Sequence, residues 1–519
     1  MSQSTTPAQG HEGPTLLGHP TGLFVLFFAE LWERFCYYGM RALLALYIAQ
    51  AFFSEMQPEA AQGAASASYG GFTAMVYALG IFGGSVADRI LGYRRTIILG
   101  GLFIAAGEFF LMVPKGDHFG FGQKEIFFFG LALLIVGNGL FKPNISSLVG
   151  KLYKQGDPRR DGGFTIFYMG INIGAAIAPI ACQAFAAYMG TDGHPDYRYG
   201  FALAGAGMLF GLLCFWTFIK VLGVEGLPPK GKEGFGPILM VVLGGIIVAP
   251  AVYKLLSLTE NAVGYVLYAC FAVIAGFLIF VAFKEEKAQR ERIFVLVLLL
   301  FLNCVFWVGF EQAGNSLNFF AEKQLVPFAV GDWTMPGPWW QSVNAVLIVA
   351  FGPIFSWLWV ALDKKNVNPS IPAKFGLGFC GMGLGFLVIN QGISSASAQG
   401  LVMWYFLLGL YVVHTLGELC LSPVGLSMVT KLAPARMTGM VMGAWFISIA
   451  TGNFIAGKVS SLAAEEAGKA VDALGTVDAL GKVQAYGHVF QYMVYLGLGV
   501  GISVILLSRL MNKWMHGVK

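Results

Sequence analysis

The segment ELWERFCYYGMR at residues 30–41 places four charged side chains inside an otherwise apolar run. At 100° per residue, a helix gathers Glu30, Arg34, Tyr37 and Arg41 on one face, with Glu33 and Tyr38 flanking it. Carboxyl, guanidinium and phenol groups in one stripe can carry a proton, hold an anion or exchange ion-pair partners. Three further islands have the same character. GNGLFKPNISSLVGKLY (137–153) sets Lys142 beside Pro143 and Asn144, and FWVGFEQAGNSLNFF (306–320) holds Glu311 and Gln312. In YVVHTLGELCLSPVGLSMVTKLAP (411–434), Glu418 is followed by Ser422, Pro423 and Gly425.

These groups stand in a chain that needs lipid as its solvent. Of its 519 residues 56% are hydrophobic and 12% charged, against about 25% charged in soluble domains. A crossing helix needs about 20 mainly apolar residues. On that basis spans are expected near 23–50, 68–91, 95–114, 125–150, 163–188, 199–222, 235–256, 260–283, 293–320, 338–362, 373–393, 399–430, 437–460 and 486–511. The fold expected is an all-α membrane protein with 14 spans. An even number of crossings puts both termini on one side.

The basic residues say which side. With the N-terminus inside, 22 of the 33 Lys and Arg fall on inner loops and span ends, 8 fall outside, and Arg34, Arg41 and Lys142 lie within spans. Cytoplasmic loops attract this excess, so both termini are expected in the cytoplasm. The net charge of +5 is dispersed over these loops, which speaks against a nucleic-acid surface. The polar first 20 residues lack Lys and Arg and read as no signal peptide. All seven cysteines lie in apolar stretches with no C-x-x-C pair, so neither disulfides nor a metal site is expected. The tandem VDALG-TVDALG in the outer loop 461–485 reads as a tether, and KEEKAQRER (284–292) as a solvated linker.

An ionisable group at mid-membrane costs at least about 2.5–3.5 kcal/mol. The charged islands are therefore functional candidates before they are structural ones. Asn172 and Asn344 are single amides that suit either ligand contact or interhelical hydrogen bonding. His414 precedes Glu418 by one turn and reads as a satisfied buried histidine, and Glu108 as structural. Excess cations (Arg34, Arg41, Lys142) sit in the first half of the chain and carboxylates (Glu311, Glu418) in the second. If the halves face each other, the cavity is bipolar and suits a small zwitterion. The remaining carboxylates are candidate proton carriers.

The islands resemble the proton-dependent oligopeptide transporter (POT, or PTR) family of the major facilitator superfamily, over nearly the whole chain. ELWERFCYYG matches the family pattern E-x-x-E-R-F-x-Y-Y-G, and GGSVADRILGYRRT (83–96) the superfamily's inner loop between the second and third helices. LFKPNISSLVGKLY, FYMGINIGA (167–175), FWVGFEQAGNSL and GELCLSPVGLS follow in family order. The resemblance implies two six-helix bundles, 1–222 and 291–519, with two extra helices in 223–290. It implies a symporter of di- and tripeptides and protons, acting as a monomer by alternating access in the inner membrane, with no cofactor and no enzymatic activity.

By position the resemblance gives Arg34 and Lys142 the peptide carboxylate, Glu418 the amino terminus, and Asn172 and Asn344 the peptide backbone. Tyr37, Tyr77, Trp445 and Phe446 would line side-chain pockets, with Tyr38 and Ser422 counted among the substrate-binding residues. Glu30, Glu33 and Glu311 would carry protons, alternately pairing with Lys142, Arg34 and Arg41. Two departures stand out. Animal relatives use a histidine in the second helix, and span 68–91 has none; Gly174-Ala175 replaces the Gly-Ser that often ends the fifth-helix motif. Nitrate, carried by some plant relatives, would leave Glu418 without a cationic partner. No nucleotide loop, catalytic triad or repeated pore motif supports an enzyme or a channel.

Overall fold

The computed structural model describes residues 14–118, 120–154, 157–191, 193–258, 261–470 and 478–518, apart from the side chains of 258, 422–424, 426, 427, 430 and 435. The repeat-bearing stretch 471–477 and the side chain of Ser422 therefore lie outside the described residues. The chain is helical: α1 (Thr21–Phe52), α2 (Pro58–Val86), α3 (Tyr93–Leu111), α4 (Gln123–Lys151), α5 (Arg160–Tyr188), α6 (Tyr197–Phe218), α7 (Gly236–Leu258), α8 (Ala262–Ala282), α9 (Lys287–Phe310), α10 (Ser316–Lys323), α11 (Trp340–Lys364), α12 (Ile371–Ser394), α13 (Trp404–Leu432), α14 (Thr438–Gly468) and α15 (Ala479–Trp514). Strands among the described residues are two residues long and only pair loop segments.

Twelve spans among the described residues are long and apolar enough to cross a membrane. Helices α1 and α3 are not among them, although they have 32 and 19 residues. Their content sets them apart: α1 carries Glu30, Glu33, Arg34 and Arg41, and α3 carries Arg94, Arg95 and Glu108. With these two, the fourteen long helices match the expected spans. One expected span differs in form. The segment expected as one rod over 293–320 breaks after Phe310 into a 3₁₀ turn, Glu311–Gly314, before α10 resumes at Ser316. The break occurs at the polar sequence EQAGN, where glycine and asparagine weaken helix propagation.

The chain forms two compact units, Met1–Met40 with Leu79–Lys254, and Arg41–Ala78 with Leu255–Lys519. In the first, α3 and α4 approach through glycines. A Cβ on Gly100 would lie 2.8 Å from the carbonyl oxygen of Gly137, and one on Gly137 2.7 Å from that of Gly100. Small residues let helices associate closely where lipid supplies no hydrophobic drive between them. A π turn, Ala87–Leu91, closes α2, and Gly92 enters α3 at φ +75°. There Arg94 donates from Nε to the Glu225 carbonyl (2.6 Å) and from Nη2 to that of Gly223 (2.5 Å). Arg95 donates to the Glu233 carbonyl at 2.5 Å. The segment leading to α7 is thus tied to the start of α3.

In the second unit, the N-terminal part of α2 packs on α14 at Gly70 and Gly457, where a Cβ on Gly70 would lie 2.7 Å from the Gly457 Cα. Helix α12 runs against α13 at Gly378 and Gly417 and against α15 at Gly383 and Gly497. The core between these contacts is aromatic, with Phe306, Phe320, Phe375, Phe386 and Tyr486 fully buried.

Candidate functional site

In the first unit the α1 stripe is buried and internally paired. Glu30, Glu33 and Arg34 are 2%, 0% and 3% exposed. Arg34 Nε lies 3.2 Å from Glu30 Oε1, and its guanidinium also pairs with the Glu33 carboxylate. One cation between two acids sets up a competition: protonating either acid leaves the other as partner. The Tyr37 ring centre is 5.5 Å from Arg34 Cζ and 5.4 Å from the Tyr38 ring centre. Lys142 stands half-buried in α4, within electrostatic reach of Glu30. The next residue but one, Asn144, donates to the carbonyls of Gly83 (2.9 Å) and Leu140 (2.7 Å), securing α4 at its internal proline.

Asn172 donates to the Tyr168 carbonyl of its own helix at 2.9 Å. One turn of residues around it explains the glycine of the fifth-helix motif. A Cβ on Gly174 would sit 3.0 Å from the Arg34 Cβ and 3.0 Å from the Phe35 amide nitrogen. Glycine there lets α5 touch the back of the α1 stripe.

In the second unit, Arg41 donates from Nη2 to Glu311 Oε2 at 2.7 Å and from Nε to the Tyr69 hydroxyl at 2.6 Å. The 3₁₀ turn at the end of α9 presents Glu311 to this guanidinium. Gln312 faces the other way, donating to the carbonyls of Val308 (3.0 Å) and Ala456 (3.1 Å). Further along, Asn344 donates to Glu418 Oε2 at 2.9 Å and to the Thr415 hydroxyl at 3.0 Å. His414 bonds the Met382 carbonyl at 3.0 Å and packs between Phe310 and Phe386, as a satisfied buried histidine does. Trp445 is buried against Gly425, whose Cβ would lie 2.5 Å from the indole, while Phe446 and Tyr77 are half-buried against the same core.

The structure thus brings Glu30, Glu33 and Arg34 together, Arg41 with Glu311, and Asn344 with Glu418. Arg41 shares a helix face with Arg34, and its guanidinium is held by Glu311. Tyr69, Thr415 and a polar ladder along the first turns of α2 are not singled out by the sequence. The ladder runs Gln62 to Tyr486, Ser66 to Ser460 at 3.0 Å, and Ser460 to Asn315 at 3.0 Å. Its signal was the spacing Gln62, Ser66, Tyr69, Thr73 along one face of α2. Among the described residues, no group of three or more His, Cys, Asp or Glu is arranged to hold a metal ion.

The family model described as POT family matches residues 94–477. The chain is 37% identical over 476 residues to "Peptide transporter YePEPT" of Yersinia enterocolitica subsp. palearctica, covering 88% of this chain and 90% of that one. It is 34% identical over 468 residues to "Dipeptide and tripeptide permease B" of Edwardsiella piscicida, covering 88% and 89%. Among solved structures it is similar to peptide transporter POT in complex with sulfate, with a TM-score of 0.78 at 33% identity over 97% of this chain and 98% of that one. A POT family transporter in complex with a thioalcohol conjugated peptide gives 0.75 at 30% identity over 96% and 98%. With charged groups seated in the interiors of long apolar helices and relatives of this length and likeness, the chain belongs to the POT family of multi-pass membrane transporters.

Proposed function

We propose that this transporter is a proton-coupled symporter that imports di- and tripeptides across the inner membrane by alternating access. The observation that carries the reading is a buried cation held by carboxylates in one unit and a carboxylate held by a neutral amide in the other. Arg34 is held by Glu30 and Glu33 in one, and Glu418 is presented by Asn344 in the other. A zwitterion with ends several ångströms apart needs one cationic and one anionic pole, and a monovalent anion does not. Relatives named for peptide, dipeptide and tripeptide transport support the same substrate class.

In this mechanism Arg34 and Lys142 receive the peptide carboxylate and Glu418 the amino terminus. Asn172 and Asn344 bind the peptide backbone. Tyr37, Tyr38, Tyr77, Ser422, Trp445 and Phe446 line the remaining surface. Variable side chains are then accommodated by aromatic and amide surface rather than by a second charge. Protonating Glu311 removes the charge that holds Arg41, and protonating Glu33 or Glu30 leaves Arg34 with a single carboxylate partner and guanidinium donors to spare for the peptide carboxylate. Driving both steps from one side couples the gradient to the rocking of two six-helix bundles, 1–222 and 291–519, around a midplane site. The protein acts as a monomer with both termini in the cytoplasm, as the basic inner loops favour.

The test is uptake of labelled dialanine into liposomes holding the purified protein, with an inward proton gradient and with the gradient collapsed. Gradient-dependent accumulation, competed by unlabelled di- and tripeptides, is the expected result. Accumulation indifferent to the gradient would remove the proton coupling. Absence of uptake of every short peptide by folded protein would remove the substrate class.

A further inference from the structure

The motif FWVGFEQAGNSL contains Gly314, to which the proposed transport cycle gives no role. Gly314 ends the 3₁₀ turn that presents Glu311. A Cβ built on it would overlap the Tyr69 hydroxyl and lie 2.9 Å from both Nε and Nη2 of Arg41. The glycine therefore borders the place where phenol and guanidinium meet. Tyr69 is 2% exposed, and its backbone carbonyl accepts the Thr73 hydroxyl at 3.0 Å, so both ends of the residue are fixed. Its hydroxyl takes Arg41 Nε at 2.6 Å while Glu311 takes Nη2 at 2.7 Å.

The two acceptors differ in kind. Glu311 changes charge when it binds a proton, whereas a phenol hydroxyl remains neutral through the working pH range. A guanidinium is planar and its donors are fixed relative to one another. Holding Nε therefore fixes the direction of Nη2, whether or not Glu311 is ionised. With Tyr69 in place, losing the charge on Glu311 breaks one contact and leaves Arg41 aimed at the place to which the carboxylate returns. Without it, Nε loses the acceptor that sets the plane of the guanidinium, and Nη2 is less closely directed at the carboxylate.

We propose that Tyr69 is a positioning residue that keeps Arg41 registered on Glu311 through protonation and release, and that Gly314 is the vacancy which makes this registration sterically possible. The inference rests on the proposed proton-coupled cycle, in which Arg41 and Glu311 act as a pair. One turn earlier on the same face of α2, Ser66 bonds Ser460 of α14, which in turn bonds Asn315, all with uncharged hydrogen bonds. Tyr69 is thus where a neutral ladder meets the ion pair.

The experiment compares wild type, Tyr69→Phe, Gly314→Ala and Glu311→Gln in liposomes by two assays of labelled dialanine. One is proton-driven uptake, and the other is counterflow, which exchanges peptide across the membrane with no net gradient. Phenylalanine keeps the ring and removes only the hydroxyl. A hydrogen bond to a charged group contributes about 1.5–3 kcal/mol, so proton-driven uptake is expected to fall roughly tenfold or more in Tyr69→Phe. Counterflow and the peptide KM should stay within about twofold of wild type, and Gly314→Ala should show the same split. Tyr69→Phe with both activities intact would overturn the proposal, as would a parallel loss of both with lowered thermal stability, which marks a purely structural residue. Glu311→Gln with full proton-driven uptake would instead overturn the cycle beneath the proposal. A wild-type protein that carries no peptide removes the cycle and, with it, the role of Tyr69.

Discussion

The amide of Asn344 donates to Glu418 Oε2 at 2.9 Å and to the Thr415 hydroxyl at 3.0 Å, so a single side chain on α11 fixes the orientation of a carboxylate one helix away. Thr415 in turn donates to the Tyr411 carbonyl at 2.7 Å, which leaves its lone pairs for the asparagine. Glu418 as a whole is 8% exposed.

Glu418→Gln keeps the shape and removes the charge that would meet a peptide amino group. A charge-assisted hydrogen bond in a partly dry site contributes about 1.5–3 kcal/mol. The KM for dialanine should rise roughly 10- to 100-fold, while N-acetylated dialanine, which has no cationic end, should lose nothing further. Competition by both compounds against labelled substrate measures this. Equal competition by both in wild type would show that Glu418 does not read the amino terminus. Asn344→Ala should weaken uptake less, because it misaims the carboxylate without discharging it.

The contact between α2 and α14 at Gly70 and Gly457 allows no side chain. A Cβ on Gly70 would be 2.7 Å from the Gly457 Cα and 3.2 Å from the Asn453 carbonyl oxygen. Both obstacles are backbone, which does not rotate away. Gly70→Leu is therefore expected to wedge these helices apart and to lower thermal stability by about 1–3 kcal/mol. Thermal unfolding in detergent, followed by intrinsic fluorescence, reads the change. An unaltered melting temperature would mean that the two glycines are not pressed together in the membrane.

Much of this was legible before any coordinates. Apolar runs of about 20 residues mark a crossing helix on their own, and the charges at 30–41 announced themselves by their cost in lipid. What the sequence concealed is which groups meet. The resemblance implies that Glu30, Glu33 and Glu311 pair alternately with Lys142, Arg34 and Arg41 without saying which meets which, whereas the structure holds Arg41 on Glu311, 270 residues away, and on Tyr69, 28 away. Local periodicity carries no information about such pairs. Tyr69, Ser66 and Ser460 were inconspicuous because hydroxyls cost little in a span and do not stand out among alanines and glycines. The break at Glu311–Gly314 was hidden by the apolar residues on either side. Arg94 and Arg95 read as topology signals, since their acceptors are backbone carbonyls and any sequence has those.

Those carbonyls make a testable contact. Arg94 spans the carbonyls of Gly223 and Glu225, while its own amide donates to that of Gly226 at 3.1 Å. Lysine cannot bridge two acceptors with a fixed fork. Arg94→Lys should loosen the segment 223–226 and speed its amide hydrogen exchange by roughly tenfold. Exchange elsewhere in α3 and α4 should be unchanged. Mass spectrometry of the 219–235 peptides would detect it, and unchanged exchange there would mean that the carbonyl clasp does not hold the segment.

The pH dependence of transport should not come from the loop before α5. Arg159 donates to Asp157 from its backbone and its guanidinium, and these bonds hold the Asp157 carboxyl down at about 2. A depressed carboxyl stabilises the fold above its unfolded value, near 3.9, and loses that contribution as pH falls through about 2. Between pH 5 and 8, the range in which a proton gradient would act, the group stays ionised in both folded and unfolded chains and contributes no slope. Asp157→Asn should therefore leave the shape of the uptake-against-pH curve unchanged over that range, even where it alters the rate. Glu33→Gln and Glu311→Gln should each change that shape if, as proposed, their protons drive the cycle. A curve that shifts with Asp157→Asn and holds still with both glutamines would place the coupling proton at the cytoplasmic surface rather than in the helices.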